Sequence, residues 1–174
     1  NLGLEMDLGG STSGSSPSAR QALDAARQAS ARGDLVAARA ALTQAIKQGL
    51  SVADVAQARD EAARIADALL FSRATGHDDP FVAVHVVAAG ESLNAIARKY
   101  QITEELLASI NKLVAPNRIL VGARLKIIRG PFHALIDKTA HRMDIFVGEA
   151  LVRSDRVGLG TNGGTPTGTW VVQD

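Results

Sequence analysis

Cysteine is absent from this chain. Its absence excludes disulfides, thiolate metal sites and any cysteine nucleophile among these residues. Lysine and arginine nearly balance aspartate and glutamate, leaving a formal net charge of +1, so there is no electrostatic footprint for nucleic acid. No apolar run approaches the length needed to span a bilayer. Aromatic residues are scarce, at one Trp, one Tyr and four Phe, and none precedes Phe71. The first residue is Asn1, so a signal or membrane anchor is expected upstream of it. With 174 residues there is room for one large domain or roughly two to three small ones.

What is present is organised around residues 84–128, which read as strand, helix, helix, strand. His85, Val86 and Val87 form a short strand stopped by Gly90. Ser92 stands at an N-cap position, where its hydroxyl can take an orphan backbone N–H. Leu93, Ile96, Ala97 and Tyr100 then follow at i, i+3, i+4 and i+7, one apolar face of a two-turn helix. Thr103 caps a second helix with Glu104 and Glu105 in its first turn, against the positive end of the dipole, and Leu106, Leu107 and Ile110 supply its buried face. Pro116 ends the helical run, and a second strand follows Gly122 at residues 125–128. Helices this short are marginal in isolation, so they must pack on the strand pair. His85 reads as the edge of this core.

These residues resemble a LysM domain. The pattern V-x-x-G-[DE]-[ST]-L appears at residues 87–93, followed by Ile96-Ala97, Tyr100, Ile102-Thr103, Leu107, Asn111, and Gly122 through Leu125 to Ile127. The resemblance implies a βααβ fold that binds N-acetylglucosamine-containing glycans, peptidoglycan or chitin, in a shallow groove between two loops. Here those loops are Gly90, Glu91, Ser92 and Leu93 on one side and Ala115, Pro116, Asn117, Arg118 and Ile119 on the other. Backbone amides, Asn and Ser suit acetamido and hydroxyl groups, and Ile119 offers an apolar face to a methyl. Neither loop holds an aromatic platform, so modest affinity is expected of this single copy.

The remaining stretches are plainer. Residues 1–18, ending in GGSTSGSSPS, read as a flexible Gly/Ser-rich linker; no G-K-[ST] follows to make a phosphate loop. Eighteen of the thirty alanines fall between Ala19 and Ala68, which predicts close-packed helices over residues 19–75. Gly33-Asp34 and Gly49-Leu50-Ser51 divide them, and Leu35, Ala38, Ala41, Leu42, Ala45 and Ile46 form an apolar stripe. Gly-Asp followed by x-x-x-A-R weakly resembles a tetratricopeptide-like helical hairpin, whose large aromatics are missing; spacing or contact with a partner protein is the role this suggests. His77, Asp78 and Asp79 lie in the following break. Adjacent loop side chains rarely converge on a metal without a further ligand, so a solvated turn before Pro80 is expected there.

Beyond Gly130-Pro131 the pattern turns to strands: residues 132–137, residues 141–147, a hairpin turn of type II′ at Gly148-Glu149, then Ala150 to Arg153, with continuation of the sheet through residues 156–160 and a further strand opening over 165–172. His141 reads as a solvated turn residue. Leu135-Ile136-Asp137, Ile145-Phe146, residues 157–160 and Thr165-Pro166-Thr167-Gly168-Thr169-Trp170 resemble, in order, the opening of a YkuD-type L,D-transpeptidase catalytic domain. That family attacks peptidoglycan stem peptides with a cysteine thiolate activated by histidine, forming a thioester. Its H-G and S-x-G-C-[IV]-R motifs lie further downstream. None of His77, His85, His133 or His141 has the required context, so no catalytic residue is assigned, and neither metal nor cofactor is expected.

The expected fold is therefore α+β and multi-domain: linker 1–18, helical region 19–75, LysM module 83–129, and the truncated opening of a catalytic domain at 131–174. The expected function is an extracytoplasmic, peptidoglycan-binding cell-wall protein that forms the N-terminal part of an L,D-transpeptidase. The alternative is a noncatalytic LysM scaffold.

Overall fold

The computed structural model describes residues 14–75, 78–115, 119–161 and 164–171. Three helices come first: α1 (Pro17–Ala31), α2 (Leu35–Lys47) and α3 (Val52–Ala66). Each begins where a short polar side chain accepts a backbone N–H: Ser16 from Ala19, Asp34 from Ala37, and Ser51 from Asp54. Gly33 and Gly49 take the left-handed conformation between them, with φ of 75° and 87°. A π-helical turn, Asp67–Phe71, widens the end of α3.

The expected linker of residues 1–18 falls mostly on residues that the structure does not describe. Residues 1–13 lie outside the described residues, but Ser15 and Ser16 are built into the helical packing. Ser15 Oγ donates to Asp54 Oδ2 at 2.6 Å and accepts from Ser51 N–H at 2.9 Å, while Ser16 Oγ donates to Gln48 O at 2.8 Å. Serines that look like solvated filler here satisfy helix ends that would otherwise be orphaned.

The βααβ unit consists of β1 (Val82–Val86), α4 (Leu93–Lys99), α5 (Glu104–Asn111) and β2 (Arg124–Ile128). β1 and β2 pair antiparallel, with His85 opposite Leu125. Both expected caps are in place, Ser92 on Ala95 N–H and Thr103 on Leu106 N–H. Val87, Leu93, Ile96, Ala97, Leu107, Leu125 and Ile127 form its aliphatic core; Leu106, expected in the buried face, is only half-buried. Asn111 shows why an amide belongs at that position. Its Oδ1 accepts from Lys126 N–H at 2.7 Å and its Nδ2 donates to Lys126 O and Leu107 O at 2.9 Å. The side chain thus pairs with β2 as a neighbouring strand would, and satisfies a buried strand edge.

A meander follows: β3 (Phe132–Asp137), β4 (Arg142–Val147) and β5 (Ala150–Arg156), in the order β3-β4-β5. Gly148 has φ of 53° while Glu149 does not take positive φ, consistent with the expected type II′ turn. A Cβ on Gly148 would stand 2.5 Å from Phe81, so this glycine also permits the hairpin to close on Phe81. The sheet is shorter than expected. β5 ends at Arg156, and residues 157–160 and 164–171 contain no strand. Instead Lys138 Nζ donates to Thr165 O at 2.5 Å, and Gly160 N–H donates to Thr165 Oγ1 at 2.7 Å.

The hairpin end of the sheet is covered, with successive residues of β4 and β5 buried on both of its faces. Phe146, Val147, Leu151 and Val152 enter a single core with the alanine-rich helices, joined by Ile110 and Ile128 from the βααβ unit. No separate core therefore begins at residue 131, and Ile110 and Ile128 carry the shared core across the division expected at residue 75. Buried charge pairs lie along this shared interior. Arg59 donates to Asp144 Oδ2 at 3.1 and 2.9 Å, and Arg39 meets Asp79 at 2.9 Å with both side chains almost fully buried. Arg39 also lies over the Phe81 ring, 5.5 Å from its centroid. Asp79, read from sequence as part of a solvated turn, is a buried counter-ion; His77 lies outside the described residues.

Candidate functional site

The two loops that could hold a ligand reach one end of the βααβ unit because the strand pair extends past β1. Val87 N–H donates to Ala123 O at 2.9 Å and Val87 O accepts from Gly122 N–H at 2.8 Å. Gly90 has φ of 82° with open space where a Cβ would stand; its requirement is conformational, not steric.

The turn at residues 88–91 is braced from beneath. Glu91 Oε2 accepts from Ala88 N–H at 2.8 Å and lies 2.8 Å from His85 Nε2. His85 Nδ1 in turn lies 3.1 Å from the Tyr100 hydroxyl, and the two rings meet edge-on. The Ala88 N–H first, and His85 second, hold the Glu91 carboxyl below its ordinary range. His85 is 8% exposed, so the expected core-edge position holds. Glu91 thereby acts on the loop's own geometry.

The residues predicted to line a glycan groove divide accordingly. Gly90 and Ser92 are exposed; the Ser92 hydroxyl accepts from Ala95 and retains its own proton as a donor. Leu93 is 2% exposed and belongs to the aliphatic core, so its side chain is withdrawn from any ligand. On the second loop Ala115 is exposed and Ile119 is half-buried against the same core. Pro116, Asn117 and Arg118 lie outside the described residues.

Sequence reasoning missed the aliphatic surface on this second connection. Val114, Leu120 and Val121 are 101%, 75% and 67% exposed. Their signal was available: apolar side chains in a loop with neither helical nor strand periodicity have no core to enter, and such exposure marks contact surfaces. Chemically, the end of the unit offers open backbone amides, a hydroxyl donor and aliphatic surface. That suits a neutral, acetamido-bearing ligand better than a charged one.

Among the described residues no cluster of acidic and histidine side chains could hold a metal ion. His133 stacks on Phe146 with ring centroids 5.0 Å apart, and His141 sits exposed in the β3–β4 turn with φ of 50°. No helix among the described residues is long and apolar enough to cross a membrane.

Comparison with known proteins agrees with the geometry of this unit. No curated protein and no solved structure matches the chain. The LysM domain family matches residues 85–127, about a quarter of the chain, and with its strand-helix-helix-strand order and the Asn111 edge pairing, this part of the molecule is a LysM domain.

Proposed function

We propose that the chain holds peptidoglycan through its LysM domain, gripping N-acetylglucosamine units between residues 90–92 and residues 115–121, in an extracytoplasmic, wall-associated setting. The observation that carries this reading is the pairing of Val87 with Gly122 and Ala123, which sets the braced Gly90 turn beside the exposed Leu120 and Val121. Acetamido groups need both an amide partner and an apolar contact for the methyl, and this end of the unit supplies both. Sedimentation with insoluble peptidoglycan tests it. The protein should pellet with the wall, soluble N-acetylglucosamine oligomers should release it, and Asn117→Ala should weaken retention without altering the melting temperature. Failure to pellet would remove this function.

A second reading concerns residues 131–174 as the opening of an L,D-transpeptidase catalytic domain. It rests on the ordered resemblance of the motifs from Leu135 to Trp170, with the Gly148 hairpin in place and Lys138 of the β3–β4 turn binding Thr165 O. In that family the acyl chemistry belongs to a Cys-His pair in motifs that these residues do not include. A catalytic chain would carry, after residue 174, a histidine and then a cysteine in S-x-G-C-[IV]-R. Absence of both from the gene would leave the noncatalytic scaffold reading, with the helices bracing the sheet and the LysM domain against each other.

A further inference from the structure

A trough runs along α4 from Asn94, two residues after the Ser92 cap, to the α4–α5 turn and the joint to β3. It comprises two adjoining hollows of about 690 and 330 Å³ that share Gln101. Arg98 lines the larger, Lys99 and Arg129 the smaller. All three cations are exposed and make no ion pair among the described residues. One carboxylate, Glu104, shares the wall, and Phe132 gives the larger hollow an aromatic side that the glycan loops lack.

Gln101 is placed at some cost. It has φ of 56°, at the position after a helix where glycine is usual. The cap is otherwise regular, with Gln101 N–H donating to Arg98 O at 3.2 Å and Ile102 N–H to Ala97 O at 3.1 Å. A glycine would make the same cap without the left-handed penalty, so the amide side chain at the trough's common wall is what the position retains.

Resting on the glycan-binding reading, we propose that this trough binds the carboxylate-bearing peptide substituents of a glycan strand held on the LysM domain. The charge excess selects an anionic partner, and Gln101, Asn94 and Thr103 provide the polar partners that a peptide backbone requires. Reach is consistent with this. The trough's near end, Asn94, lies beside Ser92, and its cations Arg98 and Lys99 stand at the far end of the seven-residue α4, about 10 Å along the helix, which is the span of about three extended peptide residues. Attachment to a bound strand converts the peptide contact into an intramolecular one, so even exposed ion pairs count.

The test compares two soluble probes: glycan fragments carrying their peptides, and the same fragments stripped by an amidase. Wild-type protein is expected to bind the peptide-bearing probe roughly five- to tenfold more tightly, the sum of two or three exposed ion pairs. Arg98→Glu with Arg129→Glu should abolish that margin while stripped-strand affinity stays. Gln101→Gly should raise the melting temperature yet reduce the margin, which a purely structural role could not do. Equal affinity of the wild type for both probes, or a margin that survives the double charge reversal, would overturn the peptide site and leave the glycan reading standing. Loss of binding to both probes in the wild type would overturn both.

Discussion

Two cores lie side by side in this molecule and are stabilised differently. The LysM core is aliphatic throughout, and the buried polar groups His85 and Asn111 find their partners within the same unit. The core shared by the helices and the sheet is lined by small alanines and crossed by charge pairs, Arg39 with Asp79 and Arg59 with Asp144. Apolar burial is tolerant of small displacements, whereas a buried ion pair stabilises only in one arrangement and costs several kcal/mol when one partner is lost. The LysM unit should therefore be a robust module, and the helix–sheet assembly a precisely registered one.

The largest expected effect follows from that contrast. Asp79→Ala leaves Arg39 buried without its counter-ion and removes the acceptor for Phe81 N–H, so it should cost about 3–5 kcal/mol. Amide exchange should show protection falling at Leu42 and Leu151 while Leu107 and Ile127 keep theirs. Replacing both partners by apolar residues, Arg39→Met with Asp79→Leu, should recover most of the loss. Equal deprotection of both regions in Asp79→Ala would mean that the two cores unfold as one cooperative unit.

Ile96→Ala probes the opposite side. Ile96 is 1% exposed in the LysM core, and truncation should cost about 2–4 kcal/mol through lost burial and the cavity left behind. Here Leu107 and Ile127 should lose protection first, with the helices retaining theirs. The same variant should weaken retention on insoluble peptidoglycan in proportion to the fraction unfolded, with no further loss once the protein is folded.

Lys126 joins the two regions and should give a smaller effect of another kind. It sits on β2, 1% exposed, with Nζ donating to Leu69 O, Ser72 O and Ala74 O at 2.6, 2.9 and 2.6 Å. Those carbonyls close the π-helical turn and the chain after it, so the ammonium acts as a helix cap supplied from the neighbouring module. Burial pushes the Lys126 ammonium down, and Asp79 partly offsets this. Lys126→Met keeps the apolar stem and removes the donors. A loss of about 1–3 kcal/mol is expected, with denaturant unfolding splitting into two resolved transitions. A single unchanged transition would show that coupling resides in the apolar contacts of Ile110 and Ile128 instead.

This contrast also explains what could be read before the fold was known. The LysM unit was legible because its information is local: caps at Ser92 and Thr103, i, i+3, i+4 spacing on α4, and a stop at Gly90 all act within a few residues. The three strands of the meander were legible for the same reason. What escaped depends on distance in sequence. Arg59 and Asp144 are 85 positions apart, and nothing near either marks it as buried. Lys126 alternated correctly for a half-exposed strand, yet both faces of β2 are covered, the second by a helix end more than fifty positions away. Ser15 and Ser16 sat in Gly/Ser-rich text whose composition argues for disorder, and only their helix-end partners assign them. At the candidate site, Gly90 and the turn were readable from the motif. The burial of Leu93 and the bonds of Glu91 within its own loop were not legible there, because the motif fixes residue types and not where their side chains turn.

The smallest effect separates the brace from the scaffold. The Glu91 carboxyl is held low chiefly by Ala88 N–H and then by His85, with Lys99 adding to the effect. A depressed carboxylate contributes stability that is fully present above its unfolded value, roughly 4.3, and is lost as pH falls through the lower folded value. Acid should therefore loosen the Gly90 turn before it unfolds the LysM core, since protonated Glu91 no longer holds both Ala88 and His85. The Gly90 amide resonance in an NMR titration should move below about pH 4, with peptidoglycan retention falling alongside. Asp54 and Glu149 are also held low, by the Ser15 and Lys47 side chains respectively, so global acid stability will respond to them as well. Glu91→Gln isolates the local term: it should remove the acid step at Gly90, leave the acid unfolding midpoint nearly in place, and lower glycan affinity at neutral pH toward the value the wild type shows in acid. A Gly90 titration that persists in Glu91→Gln would place the responsible carboxyl elsewhere and make the turn's geometry independent of its brace.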